Sequence, residues 1–335
     1  MFDGETILVT GGTGSWGHEL VRQLLAEHEP KEIRIYSRGE HKQVDMRLEF
    51  GNDPRLKFII GDVRDKEILG LAMRGVSLVF HLAALKHVPV CEENCWEAVL
   101  TNIYGTQNVI ECAMAEGVER VIDISTDKAV DPFNHYGVTK ACGEKLIVNA
   151  NQNYITDTKF VCIRGGNVMG TNGSVLPLFK RQLQTTNTIT VTNPDMTRYL
   201  MSTKQAIGLV FEAVRNAQGG EIFVMRMPAT TVANIAEVMT SLFGNADSKQ
   251  AVIGQRPGEK VHEVLVSRHE APRTRVFSDE YYVILPQFLE GTSIHESYAN
   301  LPVIDSEEFS SQNADQLTNE DFLKILQQED WLWAK

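Results

Sequence analysis

Short apolar runs alternate with amphipathic stretches over the first half of the chain. The runs are rich in β-branched residues, as buried strands are, whereas the stretches between them have the spacing of helices that pack on one face. Strands that alternate with helices form right-handed βαβ units. We therefore predict an α/β fold with a doubly wound parallel sheet, whose first six strands lie at Ile7–Thr10, Ile33–Tyr36, Phe58–Gly61, Leu78–His81, Val121–Ile124 and Phe160–Ile163.

The turn after the first strand carries glycines at every third position. Gly11, Gly14 and Gly17 stand between that strand and a predicted helix over His18–His28. Glycines in this context let the backbone approach a pyrophosphate, which then lies at the helix N-terminus. The alternative is a tight loop that binds nothing. We favour a Rossmann-like dinucleotide site at this turn.

The regular alternation stops after Gly170. A later run, Glu221–Met225, predicts a strand that returns to the sheet, and an apolar Phe322–Leu326 segment predicts a tail that docks by one face. We predict a Rossmann-like domain over 1–168 and about 198–226. A smaller C-terminal α/β lobe for the substrate, with the tail, then covers about 169–197 and 227–335.

Basic residues at the end of the second strand predict which dinucleotide binds. Arg38 follows Tyr36-Ser37, and Lys42 lies four residues further on. A carboxylate at this place accepts hydrogen bonds from the ribose 2′-hydroxyl of NAD, whereas an arginine accommodates the 2′-phosphate of NADP. We predict NADP, with NAD as the alternative. If no ligand binds here, Arg38 and Lys42 are instead part of a solvated helix face.

The third and fourth strands also end in polar residues. Asp62 is a candidate acceptor for an adenine amino group, and Asp65 is a candidate N-cap of the next helix. Lys86 brings a cation to the same edge of the sheet. His81 and His87 are interpreted as packing or hydrogen-bonding residues, and no metal site is predicted.

The segment Ser125–Lys140 carries the candidate chemistry. Thr126, Asp127 and Lys128 follow the fifth strand, at the edge where open α/β sheets bind their ligands. Tyr136 and Lys140 are four residues apart, so they share one face of the helix predicted after Asn134. An ammonium beside a phenol favours phenolate, which makes the tyrosine a candidate general base.

Two arginines from later segments are candidates for binding phosphate. Arg198 follows Met196-Thr197, and Arg256 lies in a charged turn, Gln255–Lys260. Planar guanidinium groups bind phosphate in bidentate fashion, so the two together suit a diphosphate. Each alone is equally well explained as a surface salt bridge.

Composition excludes several classes of partner. The net charge is −12 with scattered basic residues, which argues against nucleic acid or an anionic membrane. No apolar run reaches the roughly 20 residues of a membrane helix, and the chain enters a strand at Thr6 without a charged-then-apolar leader. We expect a cytoplasmic enzyme. The five cysteines fit reduced thiols and not a zinc site.

Taken together, these motifs resemble the extended short-chain dehydrogenase/reductase superfamily. Within it, the chain looks most like the UDP-N-acetylglucosamine 4,6-dehydratases, in particular the inverting, 5-epimerising kind of pseudaminic acid synthesis. The resemblance runs from about Met1 to Pro286. Its most discriminating parts are Ser125–Val130, Ala83–Pro89 and Met196–Arg198, since the glycine turn and the Tyr-Lys pair are shared by the whole superfamily.

The resemblance implies a lyase that regenerates a tightly bound NADP in each cycle. Tyr136, activated by Lys140, would take the 4-hydroxyl proton while C4 is oxidised. Lys128 would then remove the C5 proton, Asp127 would protonate the leaving 6-hydroxyl, and hydride would return to C6 before C5 is reprotonated. Hexose 4,6-dehydratases carry Asp-Glu where this chain has Asp127-Lys128, and membrane-bound, C5-retaining relatives place Met at Tyr136.

The resemblance also assigns residues to each role. Catalytic residues would be Thr126, Asp127, Lys128, Tyr136 and Lys140. Cofactor contacts would come from Gly11, Thr13, Gly14, Ser15, Trp16, Gly17, Ser37, Arg38, Lys42, Asp62, Val63, Ala83, Ala84, Lys86, Tyr136 and Lys140. Substrate contacts would come from Lys86, His87, Asn167, Val175, Pro177, Lys180, Arg198, Arg256 and Glu259.

Three positions depart from the family pattern. Trp16 replaces a common Phe, Gly39 replaces a frequent Asp, and Gly165 removes a side chain near the substrate pocket. Alternative activities are therefore kept: a C5-retaining dehydratase, a dehydratase for another nucleotide sugar, or a nucleotide-sugar 4-epimerase. A non-catalytic NADP-sensing module is a further alternative, although such relatives usually lose the Tyr-Lys pair. The superfamily analogy also predicts a homo-oligomer.

Overall fold

A computed structural model of the protein describes residues 1–170, 174–256, 258–287, 293–327 and 332. Its strands are β1 (Thr6–Thr10), β2 (Glu32–Ser37), β3 (Leu56–Ile60), β4 (Leu78–His81), β5 (Arg120–Thr126), β6 (Lys159–Gly165), β7 (Thr188–Val191), β8 (Thr197–Tyr199), β9 (Ile222–Met225), β10 (Ala229–Thr231), β11 (Lys249–Val252), β12 (Val264–Val266), β13 (Thr274–Val276), β14 (Tyr281–Ile284) and β15 (Phe309–Ser310).

The helices lie between these strands. They are α1 (Ser15–Glu27), α2 (Glu40–Glu49), α3 (Lys66–Met73), α4 (Val88–Glu93), α5 (Cys95–Val99), α6 (Gly105–Ala115), α7 (His135–Asn153), α8 (Val175–Thr186), α9 (Thr203–Asn216), α10 (Val232–Phe243), α11 (Ser293–Ser297) and α12 (Asn319–Gln327). None of the helices within the described residues is both long and apolar enough to cross a membrane.

Within the part of the chain that the structure describes, nine strands form one sheet in the order β13-β14-β9-β6-β5-β4-β1-β2-β3. All pairings from β9 to β3 are parallel, and β14 and β13 add two antiparallel strands at one edge. The predicted Rossmann-like doubly wound sheet is confirmed. Because β1 lies between β2 and β4, the strand order reverses there, and ligands bind at such switch points.

The remaining strands form three two-stranded sheets beside the main sheet: β8 with β10, β7 with β11, and β12 with β15. Helices α8, α10 and α12 enclose a second apolar core together with β7. Phe322 and Leu326 are fully buried in this core, so the predicted docking of the tail by its apolar face is confirmed.

The predicted boundary between the two parts is wrong in one place. Residues 274–284 were assigned to the C-terminal lobe, but β13 and β14 belong to the main sheet. The physical reason is that β9 would otherwise be an exposed edge, and the fully buried β14 pairs with it in antiparallel register. The sequence has one short apolar run here, Tyr281–Ile284, but it does not say which sheet this run joins.

Candidate active site

A cavity of about 750 Å³ opens at the switch point between β1 and β4. The turns after β1, β2, β3 and β4 form one wall, and the ends of β5 and β6 with α7 form the other. Every predicted cofactor contact lines this cavity: Gly11, Thr13, Gly14, Ser15, Trp16, Gly17, Ser37, Arg38, Lys42, Asp62, Val63, Ala83, Ala84, Lys86, Tyr136 and Lys140. Their role as cofactor ligands stays a prediction.

The glycine turn has the close backbone approach that its spacing predicts. A Cβ at Gly17 would lie 2.1 Å from the carbonyl oxygen of Gly12, and Gly11 has φ +67°. Any side chain at these two positions would push α1 away from β1 or strain the turn. The glycines therefore determine the conformation of the turn that lines the cavity.

The end of β2 presents basic groups beside a carboxylate. Arg38 is about half exposed and its guanidinium lies 3.8 Å from the Asp62 carboxylate. Both oxygens of that carboxylate already accept hydrogen bonds from Arg64, at 2.6–3.0 Å. The proposed acceptor for an adenine amino group thus has a protein partner. Asp65 caps α3 by accepting from the Ile68 N–H at 3.1 Å, so that prediction is confirmed.

Two catalytic candidates, Asp127 and Lys128, lie on a 3-10 turn, Asp127–Ala129, and a third, Thr126, caps this turn at the carboxyl end of β5. The Lys128 ammonium lies 3.0 Å from Asp127 Oδ1 and 3.3 Å from Asn167 Oδ1. The Thr126 hydroxyl donates to Asp127 Oδ1 at 2.8 Å. Asp127 is buried, and its second oxygen has no hydrogen-bond partner among the described residues. The turn therefore contains a fixed carboxylate–ammonium pair.

Helix α7 brings Tyr136 against this turn. Asn134 caps the helix as its side chain accepts from the Gly137 N–H at 2.8 Å, so the predicted helix start is confirmed. A Cβ at Gly137 would lie 2.2 Å from the Lys128 carbonyl oxygen. The absence of a side chain at this position lets the helix pack directly on the catalytic turn.

The ionisation of Tyr136 depends on two opposing effects. Burial raises the pKa of Tyr136 above its ordinary value, and Lys140, Lys128 and a hydrogen bond with Thr126 oppose this without reversing it. The predicted effect of Lys140 is therefore present, but the cost of taking the phenolate out of water exceeds the attraction of the cations. The two lysines remain the groups that make phenolate accessible.

Lys140 has a buried partner of its own. Its ammonium lies 3.4 Å from both oxygens of Asp123, which is fully buried on β5. Burial favours the neutral amine, but Asp123 outweighs it and the pKa of Lys140 is raised. Lys140 therefore stays charged beside Tyr136.

Lys128 is shared between two carboxylates. Burial again favours the amine, but Asp127 and Glu263 outweigh it and raise the pKa of Lys128. The Glu263 carboxylate lies 3.7 Å from the Lys128 ammonium. The predicted role of Lys128 as a base therefore requires that it first give up a proton.

A second cavity of about 230 Å³ adjoins the first at Lys128 and Asn167, which line both. Four of the predicted substrate contacts line it: Asn167, Arg198, Arg256 and Glu259. The Arg198 guanidinium already donates to the carbonyls of residues 197, 260 and 261 and to the Met196 sulfur. Arg198 thus contributes positive charge to the cavity, while its N–H groups are engaged with the protein.

Of the remaining predicted substrate contacts, some line a cavity and others do not. Lys86 and His87 line the first cavity, whereas Val175, Pro177 and Lys180 on α8 line neither. The Lys180 ammonium donates to the Leu332 carbonyl at 2.7 Å and lies over Phe243, towards the second core. The neighbouring Gly173 and Pro257 lie outside the described residues.

Two charged groups at the site were not predicted. Asp123 stands within the apolar run of β5, and a buried carboxylate there needs a partner, so the sequence held a usable signal. Glu263 had no such signal, because only the fold brings residues 128 and 263 together. Across the described residues there is no group of three or more His, Cys, Asp or Glu that could hold a metal ion.

Comparison with known proteins matches most of this chain to a family. Residues 7–285 match the family described as "Polysaccharide biosynthesis protein". The UDP-N-acetylglucosamine 4,6-dehydratase (inverting) of Campylobacter jejuni is 43% identical over 288 residues, which cover 85% of this chain and 84% of that protein. The UDP-glucose 4-epimerase of Rickettsia bellii is 44% identical over 287 residues, which cover 84% of each.

A solved structure supports the same assignment over nearly the whole chain. The X-ray structure of Pen from Bacillus thuringiensis is similar with a TM-score of 0.89 and 35% identity, covering 98% of this chain and 99% of that one. The match to the family extends over most of the chain and includes both cavities. The chain therefore belongs to the polysaccharide biosynthesis protein family of short-chain dehydrogenase/reductase-like proteins.

Proposed function

We propose that this protein is an NADP-dependent UDP-N-acetylglucosamine 4,6-dehydratase that inverts C5. The product would be UDP-2-acetamido-2,6-dideoxy-β-L-arabino-hex-4-ulose. The observation that carries the proposal is the Asp127–Lys128 pair: Lys128 lines both cavities beside Tyr136, and the buried Asp127 carboxylate lies behind it at 3.0 Å. An oxidoreductase that only moves hydride at C4 has no use for this second acid–base pair.

The first cavity fits a dinucleotide. Cβ atoms at Gly11 and Gly17 would collide with neighbouring backbone, so the turn that lines the cavity requires glycines, and the volume of about 750 Å³ is that of a large ligand. Gly11, Gly14 and Gly17 would hold the pyrophosphate, and Arg38 with Lys42 would hold the 2′-phosphate. When bound, NADP would supply the hydride acceptor for C4 and the hydride donor for C6.

Tyr136 would accept the proton of the 4-hydroxyl. Because burial raises the pKa of this tyrosine, phenolate forms only with help from the neighbouring ammonium groups of Lys140 and Lys128. Both groups stay charged because carboxylates lie behind them. The charged pairs thus reduce the cost of the proton transfer.

Elimination of water would use the Asp127–Lys128 pair. Transfer of one proton from the ammonium to the carboxylate gives an amine and a carboxylic acid. The amine removes the C5 proton, the acid protonates the departing 6-hydroxyl, and both groups return to their charged forms. The proton that Tyr136 took from the 4-hydroxyl then remains for C5, and its delivery from the opposite face inverts that carbon.

The second cavity would receive the nucleotide diphosphate. Arg198, Arg256 and Lys260 bring three cations to it, and Phe133 adds an exposed ring beneath the Lys260 ammonium. A diphosphate is attracted to such a surface. Its position next to Lys128 would direct the sugar into the first cavity, where Tyr136 lies.

The proposal is tested by incubating the protein with UDP-N-acetylglucosamine and NADP in deuterated water. We expect loss of one water by mass, deuterium at C5, and inverted C5 stereochemistry by NMR. Neither water loss nor deuterium at C5 would refute the proposal. Replacement of Lys128 by Ala should leave NADP binding intact and abolish water loss, which distinguishes an enzyme from an NADP-sensing module.

A nucleotide-sugar 4-epimerase is the second candidate, favoured by the name of the Rickettsia bellii relative. It would give a product of unchanged mass with altered C4 configuration. Retention at C5, or action on a different nucleotide sugar, uses the same residues and is distinguished by product NMR with a panel of sugars. Under the epimerase hypothesis, the Lys128→Ala variant would still change C4, more slowly because one cation beside Tyr136 is lost, and its product would have unchanged mass.

Three further expectations accompany the proposal. We propose a homo-oligomer, which light scattering of the purified protein tests. The predicted cytoplasmic location is tested by fractionation of the source cells. The division into an NADP-binding part and a substrate lobe is tested by limited proteolysis with and without each ligand.

A further inference from the structure

Glu263 is a buried carboxylate that the proposed mechanism leaves without a role. It stands just before β12, and its side chain is 4% exposed. Its Oε2 atom has no hydrogen-bond partner among the described residues, yet the residue lines the second cavity. A buried carboxylate oxygen without a donor is costly, so its retention at this place requires an explanation.

The contacts of Glu263 connect it to the acid–base pair. Its Oε1 atom lies 3.7 Å from the Lys128 ammonium and 3.8 Å from Arg198 Nε. The same ammonium lies 3.0 Å from Asp127. One lysine is therefore shared between two carboxylates that come from segments far apart in the chain.

The position of Glu263 is fixed by its backbone. Its N–H donates to the Ser311 hydroxyl at 2.9 Å, and its carbonyl accepts from the Ser311 N–H at 2.7 Å. The ladder between β12 and β15 begins at the next residue. The carboxylate is thus held in place by rigid elements, as preorganised site residues are.

We propose that Glu263 is a positioning residue that controls the protonation of Lys128 during the proposed elimination. It holds the ammonium at the junction of the cavities and, by its charge, opposes loss of the ammonium proton, whether to Asp127 or to water. Glu263 itself neither gains nor loses a proton in the cycle. The proton that leaves Lys128 passes to Asp127 and from there to the departing hydroxyl. This inference rests on the proposed function.

Other charges around the pair limit the size of the effect. Asp127 on the same turn and Tyr136 on α7 face Lys128, while Arg198 on β8 and Lys260 face Glu263. The two cations partly offset the charge of Glu263. Removal of that charge should therefore shift the titration of Lys128 to lower pH by about one unit or more, the lower end of the range for a neighbouring opposite charge.

The test compares Glu263→Gln, which keeps the shape and removes the charge, with Glu263→Asp, which keeps the charge. Glu307→Gln is the matched control, because the Glu307 side chain is 84% exposed and its carboxylate lies beside Arg268, 3.9 Å away. The NADP-loaded proteins are labelled with acetic anhydride at a series of pH values, and acetylation of Lys128 is followed by peptide mass spectrometry. The reagent reacts only with the amine, so the midpoint reports the titration of this side chain.

The second readout is the rate of deuterium incorporation at C5 with UDP-N-acetylglucosamine. We expect Glu263→Gln to move the alkaline, falling limb of this rate to lower pH by about the same amount as the labelling midpoint, because the pair supplies both an acid and a base only while it holds its shared proton. Formation of NADPH in a single turnover should change much less. Glu263→Asp keeps the charge and should restore the wild-type pH dependence of deuterium incorporation at C5.

An unchanged labelling midpoint in Glu263→Gln would overturn the inference, whatever happens to activity. Equal losses of NADP binding, C4 oxidation and C5 exchange would overturn it as well, since they indicate a structural role. If the wild-type protein does not convert UDP-N-acetylglucosamine, the proposed function fails, but the labelling midpoint still decides the role of Glu263. The two failures are therefore distinguishable.

Discussion

Replacement of Asp123 by Asn tests whether the buried carboxylate supports the Tyr-Lys pair. Asp123 is fully buried, and both of its oxygens lie 3.4 Å from the Lys140 ammonium. Asparagine has nearly the same shape and its oxygen still accepts a hydrogen bond. The substitution therefore removes the charge and leaves most of the packing unchanged.

The distance gives the size of the effect. At 3.4 Å and an effective dielectric constant of about 20, the attraction between the two charges is about 5 kcal/mol before desolvation is counted. Loss of one partner of a buried pair typically costs about 3–5 kcal/mol, and the retained hydrogen bond returns about 1 kcal/mol. We expect Asp123→Asn to lower the free energy of unfolding by about 2–4 kcal/mol at neutral pH.

The pH dependence has a definite sign. Burial lowers and Asp123 more strongly raises the pKa of Lys140, with a net upward shift. A group whose pKa is raised on folding stabilises the protein below its unfolded pKa, and the contribution is lost as pH rises through the folded value. The difference between wild type and Asp123→Asn should therefore be full at neutral pH and should shrink as pH rises through the alkaline range of lysine.

Two assays check this prediction: urea denaturation at several pH values, and the pH profile of single-turnover NADPH formation. Weaker support of Lys140 should raise the pKa of Tyr136 further, move the rising limb of C4 oxidation to higher pH, and slow the step at neutral pH by roughly tenfold or more. Glu270→Gln is the control, because it breaks a buried pair with Arg164 at 3.0 Å that does not line either cavity. The reasoning would be refuted if Asp123→Asn lost stability like the control but kept the wild-type pH profile of C4 oxidation.

Three other substitutions have definite expected outcomes. Gly137→Ala would place a Cβ 2.2 Å from the Lys128 carbonyl, so urea denaturation should show a loss of about 1–3 kcal/mol, and C5 exchange should slow more than NADP binding weakens. Glu270→Gln should cost about 3 kcal/mol at pH 7, because burial raises but Arg164 more strongly lowers the pKa of Glu270, to about 2. That pKa is depressed on folding, so the difference should fade in denaturation curves as pH drops from about 4.5 towards 2. Arg38→Ala should reduce the preference for NADP over NAD roughly tenfold, as measured by the ratio of their Kd values.

Local sequence signals predicted the parallel sheet well. The apolar runs that gave the first six strands match β1 to β6 within one or two residues, because β-branched residues between turn residues seldom adopt another structure. Asn134 and Asp65 were also predictable as caps, because a short polar side chain before a helix satisfies its free N–H groups. The spacing of four residues was enough to predict that Tyr136 and Lys140 lie on one face of α7.

Features that depend on long-range contacts were not predictable. The sequence does not say that β14 pairs with β9, that Glu263 meets Lys128, or that the N–H groups of Arg198 are used by backbone carbonyls. Nor does it give the balance between burial and charge that decides the pKa of Tyr136. The carboxylate of Asp123 is the exception, since a charge within a buried strand requires a partner in any fold.

The two lysines beside Tyr136 have the same arrangement, and this explains why the site buries so many charges. Each ammonium can stabilise phenolate only while it remains charged, and burial alone would neutralise it. Asp123 holds Lys140 charged on one side, and Asp127 with Glu263 holds Lys128 charged on the other. Under the proposed function the two sides then act on different steps, because Lys140 serves only oxidation at C4, whereas Lys128 must later become a base at C5. Loss of the Asp123 charge should therefore slow NADPH formation, whereas loss of the Glu263 charge should slow C5 exchange and change NADPH formation much less. The step that each substitution slows directly identifies the step that each lysine controls.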